Sequence, residues 1–205
     1  MSLKTAYTAG ARGVAARSMT GLARTRVTPN MLTAAGVTLC AVGAVLVYFE
    51  YRDELLFFWV GGLAFVVGSI LDILDGALAR AGGRQTPFGG FLDSTLDRVG
   101  EGLMLGAIAL VFMRDGQELA LALAVAAIGG SFLVPYARAK AEGLGIKGDV
   151  GIGSRAERVV VISVGIALAP WGVLPWAIGL LALTAWFTVL QRILHVRREL
   201  STRPS

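Results

Sequence analysis

Charged residues are scarce in this chain. They make up 16% of its 205 residues, whereas 55% are hydrophobic, and the mean hydropathy is +0.68. Soluble domains rarely have this composition, but proteins that cross a membrane several times usually do. The chain has one cysteine, Cys40, so neither an intrachain disulfide nor a cysteine metal cluster can form. We also expect no cleavable signal peptide, because residues 1–27 lack a continuous apolar core.

The sequence also lacks the basic and aromatic platform that binding to nucleic acid would need. We therefore expect the basic residues behind its net charge of +5 to lie in cytoplasmic loops and to contact anionic lipid headgroups. The only histidine, His195, falls at the end of an apolar segment. We expect it to lie at the membrane interface without a catalytic role.

Six apolar segments separated by short polar turns follow residue 27. A membrane-spanning helix needs about 20 residues, and the expected spans cover residues 30–49, 55–80, 88–113, 119–136, 155–169 and 176–195. The predicted fold class is all-α: an integral membrane bundle of six transmembrane helices with an N-terminal amphipathic interfacial helix. The predicted membrane domain is 28–200, preceded by a basic juxtamembrane segment (1–27). A polar tail follows the sixth span, with residues 201–205 outside the domain.

The basic residues predict an orientation. Residues 1–27 mix arginines with apolar side chains, as interfacial helices do, although a flexible basic tail is the alternative. Lys and Arg residues are concentrated there, in the loops at 80–84 and 138–158, and in the tail from residue 192. The positive-inside rule then places both termini in the cytoplasm. We expect a multi-pass cell-membrane protein with its site at the cytoplasmic face.

One stretch, residues 70–97, carries four aspartates between apolar runs: Asp72, Asp75, Asp93 and Asp97. An ionisable residue inside an apolar span costs several kcal/mol, about 3 on insertion scales. The first two aspartates are three residues apart and the last two are four apart, so each pair shares one helix face. Because the connection between the two helices is short, we expect antiparallel neighbours whose acidic ends converge.

Four converging carboxylates form an oxygen-rich site suited to Mg²⁺ or Mn²⁺. Two ions are expected, because one would leave two net negative charges half buried, and paired divalent ions assist displacement at phosphorus. Arg80 can pair with a phosphate, and Gly76 lets a ligand approach the backbone. The alternative is that Arg80 and Arg98 are structural counterions of a solvated acidic surface.

The stretch can be written Asp72-x2-Asp75-Gly76-x2-Ala79-Arg80-x8-Gly89-x3-Asp93-x3-Asp97. This spacing resembles the signature of the CDP-alcohol phosphotransferase family at every position. The resemblance implies a dimeric six-helix membrane enzyme. Such an enzyme moves a phosphatidyl or similar group from a CDP-linked donor to an acceptor hydroxyl and releases CMP.

The resemblance also implies two sets of site residues. The metal ligands would be Asp72, Asp75, Asp93 and Asp97, of which the last would also be the base that takes the proton of the attacking hydroxyl. The CDP-diacylglycerol site would consist of Asn30, Met31, Leu32, Thr33, Gly76, Arg80 and Thr86.

Four arginines further along the chain bear on the acceptor: Arg138, Arg155, Arg158 and Arg192. Their pattern is similar to that of actinobacterial phosphatidylinositol phosphate synthases, the branch that uses 1L-myo-inositol 1-phosphate. They fall at the cytoplasmic ends of spans four to six, at the depth of the aspartates, where an acceptor phosphate would give them a partner. Alternatively, they fix the topology as positive-inside residues.

Together, the residues and the family resemblance predict a metal-dependent transferase of phospholipid biosynthesis that joins inositol phosphate to the phosphatidyl group. The resemblance implies that this enzyme is a homodimer among membrane lipids. One alternative is a phosphatidylglycerol phosphate synthase, whose acceptor, glycerol 3-phosphate, is also anionic. An alternative from another class is a cation channel or transporter that uses the acids as an ion pathway. The clustering of the acids at one end favours a fixed phosphate site.

Overall fold

The structure, a computed structural model, describes residues 28–83, 85–148, 150–152 and 154–202. These residues form six α-helices and no strand, which confirms the all-α prediction. The helices are α1 (Pro29–Tyr48), α2 (Glu54–Ala81), α3 (Pro87–Arg114), α4 (Glu118–Gly143), α5 (Arg155–Ala167) and α6 (Leu174–Thr202). Two 3₁₀ turns, Glu50–Arg52 and Ala169–Trp171, lie in the connections. The predicted interfacial helix at 1–27 falls outside the described residues.

Capping residues explain where the helices of the site begin. Thr28 precedes Pro29 and accepts a hydrogen bond from the Met31 amide at 3.3 Å. Thr86 precedes Pro87 in the same way and accepts from the Gly89 amide at 2.9 Å. A side-chain oxygen before a proline satisfies a free amide at the first turn, where proline fits best. The same local signal therefore starts α1 and α3 at one end of the bundle.

Four helices are long and apolar enough to cross a membrane: α1, α2, α4 and α6. The two other expected spans are present as helices with different properties. α3 has 28 residues but carries several charged side chains in its first half. α5 has 13 residues, about 20 Å at 1.5 Å per residue, which is shorter than a typical hydrocarbon core.

Glycines bring α1 and α2 into close contact. A Cβ atom on Gly36 would lie 2.8 Å from the carbonyl oxygen of Gly68, and one on Gly61 would lie 2.8 Å from that of Gly43. Without these glycines the two backbones would have to separate. Small residues at a crossing point are the usual means by which membrane helices pack closely.

The helix order in space differs in part from the expectation. We predicted α2 and α3 to be antiparallel neighbours, but they contact each other little, and α1 packs against both. The prediction considered only the short connection between them. The close α1–α2 packing at the glycines is a long-range feature that loop length does not reveal. As a consequence, α1 contributes to the acidic site.

The C-terminal end of the last helix also differs from the expectation. α6 continues to Thr202, so the predicted polar tail after residue 195 is helical up to that point.

At the opposite end of the bundle from the aspartates, Arg114 pairs with the buried Glu50 and donates to the Tyr48 carbonyl at 2.9 Å. Burial raises the pKa of the Glu50 carboxyl, while Arg114 acts in the other direction.

Candidate active site

Three of the four aspartates converge. One carboxylate oxygen each from Asp72, Asp75 and Asp93 lies within 4.8 Å of the others. Asp72 and Asp75 are 8% and 3% exposed, so water screens the repulsion between their charges only weakly. Like charges this close oppose ionisation unless a cation neutralises them. Carboxylate oxygens in this number are suitable ligands for Mg²⁺ or Mn²⁺, and the residues present therefore fit a divalent metal.

Helix α1 supports this cluster through Thr33. Its hydroxyl is buried and donates a hydrogen bond to Oδ2 of Asp75. The sequence predicted Thr33 as a donor-site residue, but not this contact. A hydrogen bond to a metal-ligating carboxylate fixes its orientation and influences metal affinity. Thr33 is thus placed to orient Asp75 while it also lines the neighbouring pocket.

A cavity of about 370 Å³ lies beside the aspartates, between the start of α1, the end of α2 and the start of α3. Five of the seven predicted donor residues line it: Asn30, Thr33, Gly76, Arg80 and Thr86. Met31 and Leu32 do not, and Met31 is 58% exposed. Gln85 and Gly90 also line the cavity. The sequence analysis missed these two, although each adjoins a position that it had singled out.

Asp97 lies outside the group of three converging aspartates. Its Oδ1 is 2.7 Å from Nη2 of Arg155, whose Nη1 donates to Oδ2 of Asp72. Arg155 is at the first position of α5, which a Ser154–Glu157 capping box starts. One guanidinium thus joins α2, α3 and α5 at the edge of the acidic cluster. The predicted acceptor residue Arg155 is in direct contact with two of the predicted metal ligands, Asp72 and Asp97.

A second cavity, of about 520 Å³, opens on the other side of Asp97. All four predicted acceptor arginines line it, so α4, α5 and α6 bring them together. The lining residues are Ser94, Asp97, Arg98, Glu101, Val134, Pro135, Arg138, Ala139, Glu142, Gly151, Ser154, Arg155, Arg158 and Arg192. Asp93 lines the first cavity and Asp97, one helical turn further on, lines the second.

Besides Arg155, two more of these arginines contact carboxylates. Arg158 makes a bidentate pair with Glu101, with Nε–Oε1 at 2.7 Å and Nη2–Oε2 at 2.9 Å. Arg138 contacts Glu142, one turn along α4, at 2.8 Å. The sequence analysis did not assign Glu101 a function. Its spacing, four residues after Asp97 in an apolar helix, was an available signal that it needs a partner.

Arg192 contacts backbone instead. Its Nε donates to the Val150 carbonyl at 2.9 Å, and Nη1 donates to the Val134 carbonyl on α4. Further along α6, Nε2 of His195 lies 3.2 Å from the Lys147 carbonyl. These contacts hold the glycine-rich connection before α5 against the wall of the second cavity. Arg192 therefore has a structural contact in addition to its place in the cavity lining.

A profile of the CDP-alcohol phosphatidyltransferase family matches residues 26–191. The chain belongs to this family. The matched residues include all four aspartates, the lining of the first cavity and, except for Arg192, the lining of the second. The resemblance inferred from the aspartate spacing is thereby confirmed, and the family is one of transferases. The channel or transporter alternative is set aside.

Two named relatives of the chain have inositol phosphate in their names. The chain is 40% identical over 144 residues to the archaetidylinositol phosphate synthase of Methanothermobacter thermautotrophicus, covering 68% of this chain and 71% of that one. It is 38% identical over 189 residues to the phosphatidylinositol phosphate synthase of Cutibacterium acnes, covering 86% and 89%.

A solved enzyme has the same fold. The phosphatidylinositol phosphate synthase of Mycobacterium tuberculosis with CDP-DAG bound superimposes with a TM-score of 0.78 at 26% identity, covering 89% of this chain and 93% of that one. A structure of the same enzyme contains manganese and citrate and also gives a TM-score of 0.78, at 27% identity, covering 89% and 88%. The manganese in that structure and the convergent aspartates of this chain together indicate that this chain depends on a divalent metal.

Proposed function

We propose that this chain is a phosphatidylinositol phosphate synthase. It transfers the phosphatidyl group of CDP-diacylglycerol to 1L-myo-inositol 1-phosphate and releases CMP. The observation that carries the proposal is the cavity in which Arg138, Arg155, Arg158 and Arg192 surround the approach to Asp97. An acceptor that already bears a phosphate suits four guanidinium groups, since arginine pairs with phosphate through charge-assisted hydrogen bonds.

The relatives support this acceptor over others. Their names combine inositol phosphate with two different lipid parts, archaetidyl and phosphatidyl. Inositol phosphate is common to the archaetidyl and the phosphatidyl enzymes. We therefore expect this chain to share with them the part of the site that binds the acceptor. The structure bound to CDP-DAG supports diacylglycerol as the lipid of the donor.

The reaction follows from the order of the groups along α3. The CDP part of the donor occupies the first cavity, with Arg80 and Thr86 at its phosphates and Asn30 in the cavity lining. The acceptor phosphate binds in the second cavity, which places an inositol hydroxyl toward Asp97. The hydroxyl oxygen attacks the phosphorus on the diacylglycerol side, and the bond from that phosphorus to the CMP oxygen breaks. Asp97 takes the hydroxyl proton.

Arg155 contacts one edge of the Asp97 carboxylate. Nη2 of Arg155 lies 2.7 Å from Oδ1 of Asp97. General-base assistance contributes about 10² to 10⁴ in rate. The same guanidinium restricts the orientation of Asp97, so that one carboxylate edge is turned to the protein.

We also propose that Asp72, Asp75 and Asp93, with help from Asp97, would hold two Mg²⁺ ions, with Mn²⁺ as a substitute. When bound, such ions neutralise phosphate oxygens and stabilise the leaving group. The buried oxygens within 4.8 Å of one another support this ligand set. The number of ions is tested by equilibrium titration with Mn²⁺.

The proposed setting is a homodimer with six spanning helices per chain, an amphipathic N-terminal segment, and both termini in the cytoplasm. The end of α2 and the starts of α1, α3 and α5 lie together at the aspartates. The basic residues of the sequence favour the cytoplasmic side for that end. Labelling of single cysteines placed in the turns from either side of the membrane tests the orientation. Light scattering in detergent tests the dimer.

The enzymatic proposal is tested with purified protein, CDP-diacylglycerol and Mg²⁺. We expect CMP release when inositol 1-phosphate is added and little release with free inositol, which lacks the phosphate. Turnover with glycerol 3-phosphate alone would instead assign the chain to the phosphatidylglycerol phosphate synthases.

A further inference from the structure

Glu101 and Arg158 form a buried ion pair in the wall of the second cavity. Their side chains are 5% and 6% exposed, and two hydrogen bonds, at 2.7 and 2.9 Å, join them. Two parallel bonds fix both the distance and the plane of a guanidinium group. Glu101 thereby determines where the charge of Arg158 sits in the cavity lining.

Stability alone is a poor explanation for this pair. Removing two charges from water is costly, and well-packed apolar residues of similar volume often serve stability as well or better. The surroundings supply such residues, since the neighbouring turns of α3 and α5 contain the buried Met104, Leu105 and Ile162. A buried ion pair in the wall of a cavity of about 520 Å³ is better explained by the side chain that it orients.

The other arginines of the cavity are held differently. The Arg138–Glu142 pair lies within one helix, and its side chains are 50% and 52% exposed. Such exposed pairs are weak and restrict the side chains little. Among the cavity-lining pairs that the structure describes, Glu101–Arg158 combines deep burial, two hydrogen bonds and a link between different helices.

We propose that Glu101 is a positioning residue for the acceptor phosphate. It orients Arg158 in advance, and it couples the acceptor cavity to α3, where Asp97 lies one turn away. This inference rests on the proposed function for the identity of the acceptor. It adds to that function a carboxylate that acts on the acceptor through Arg158.

The variant Glu101→Gln tests this role while keeping the size of the side chain. It loses one acceptor for an arginine N–H and brings an amide N–H against the guanidinium. Because a hydrogen bond to the charged guanidinium is lost and Arg158 is less well fixed, we expect the acceptor KM to rise about tenfold or more. The donor KM should stay within about twofold, because the first cavity contains neither residue.

A matched control comes from the other end of the bundle. Glu50→Gln alters a buried carboxylate that also pairs with an arginine of α3, but far from both cavities. We expect it to lower the melting temperature without changing either KM. If Glu101→Gln behaves like this control, with stability lost and both KM values unchanged in the folded fraction, the pair is structural and the proposal is wrong.

A double-mutant cycle makes the assignment specific. Arg158→Lys keeps the charge but loses the planar fork, so it should raise the acceptor KM as Glu101→Gln does. Adding Glu101→Gln to Arg158→Lys should then change the acceptor KM by less than about twofold, because the two residues act as one unit. Full additivity would show that Glu101 acts through another group and would overturn the proposal.

The wild-type enzyme separates this proposal from the proposed function. If it turns over glycerol 3-phosphate and not inositol 1-phosphate, the proposed acceptor is wrong, and the same KM comparison with glycerol 3-phosphate decides the role of Glu101. Should Glu101→Gln fail to fold, Glu101→Asp is measured, with the same expected selectivity for the acceptor KM. Misfolding of both variants would count against positioning and for a structural role.

Discussion

The acidic cluster (Asp72, Asp75 and Asp93) and the second cavity hold their charges in different ways. In the acidic cluster, oxygens of Asp72, Asp75 and Asp93 lie within 4.8 Å of one another, an arrangement that favours a bound cation. In the second cavity, called the arginine cavity below, the arginine side chains already contact acceptor groups of the protein, as Arg158 contacts Glu101. Net charge therefore suffices to attract ions to the first region. In the second region, orientation of the arginines decides what binds.

This difference separates the expected effects of mutation. Changes in the acidic cluster should remove the chemistry, whereas changes in the arginine cavity should alter acceptor affinity and leave the donor side intact. The predictions below test this separation, from the largest expected effect to the smallest.

Asp75→Asn should have the largest effect. It removes one charge from the buried cluster, and we expect turnover to fall at least about a thousandfold, or ~4 kcal/mol of transition-state stabilisation. CMP release and Mn²⁺ binding measure the two consequences. Asp115→Asn, at the exposed far end of α3, is the control and should change neither. Full turnover by Asp75→Asn would remove it from the metal site.

Asp97→Asn should lower turnover by about 10² to 10⁴, the usual contribution of a general base. Donor binding should be largely spared, because Asp97 lines the second cavity and not the first. Single-turnover CMP formation and equilibrium binding of CDP-diacylglycerol measure the two properties. Unchanged turnover would show that Asp97 is not the base.

Thr33→Val should weaken metal binding without abolishing the reaction. It removes the hydroxyl that donates to Asp75 and keeps the shape of the side chain. Loss of such an outer contact usually lowers metal affinity about 10- to 100-fold. The Mg²⁺ concentration for half-maximal activity measures this, and Thr33→Ser, which keeps a hydroxyl, is the control. Equal Mg²⁺ requirements for both variants would contradict the supporting role of Thr33.

Arg192→Ala should have the smallest of these effects, a rise of about tenfold in the acceptor KM with a much smaller change in the donor KM. The residue lines the second cavity and also bonds to the Val150 carbonyl. Steady-state kinetics in both substrates measures the split. Arg198→Ala, an exposed arginine on the same helix, should change neither KM. Equal rises in both KM values would point to a structural role for Arg192.

Local spacing predicted much of the acidic cluster. Aspartates three residues apart on one helix must share a face, and Asp72 and Asp75 do converge with Asp93. The helix starts at Thr28 and Thr86 could likewise be predicted, since capping is a local property. What the sequence did not reveal was the position of α1 between α2 and α3. That arrangement depends on close packing at glycines far apart in the chain.

Helix geometry also explains which of the predicted donor residues line the first cavity. Asn30, Met31, Leu32 and Thr33 were predicted as a continuous run. Successive residues of a helix point about 100° apart, so residues three apart share a face and intervening ones do not. Asn30 and Thr33 accordingly line the cavity, whereas Met31 and Leu32 do not.

The arginine cavity was predicted in membership but not in contacts. The sequence placed the four arginines at one depth, and the structure brings them around one cavity. It could not show that Arg155 joins Asp72 to Asp97, or that Glu101 faces Arg158, because these pairs connect residues of different helices. Such partners depend on tertiary packing rather than on sequence spacing.

The most direct test of the account is a competition between acceptors. Purified wild-type protein is given CDP-diacylglycerol, Mg²⁺, and inositol 1-phosphate and glycerol 3-phosphate at equal concentrations, and the lipid products are counted by mass spectrometry. We predict that phosphatidylinositol phosphate exceeds phosphatidylglycerol phosphate by more than about a hundredfold, since the ratio reports the difference in kcat/KM. A product mixture dominated by phosphatidylglycerol phosphate would contradict the account.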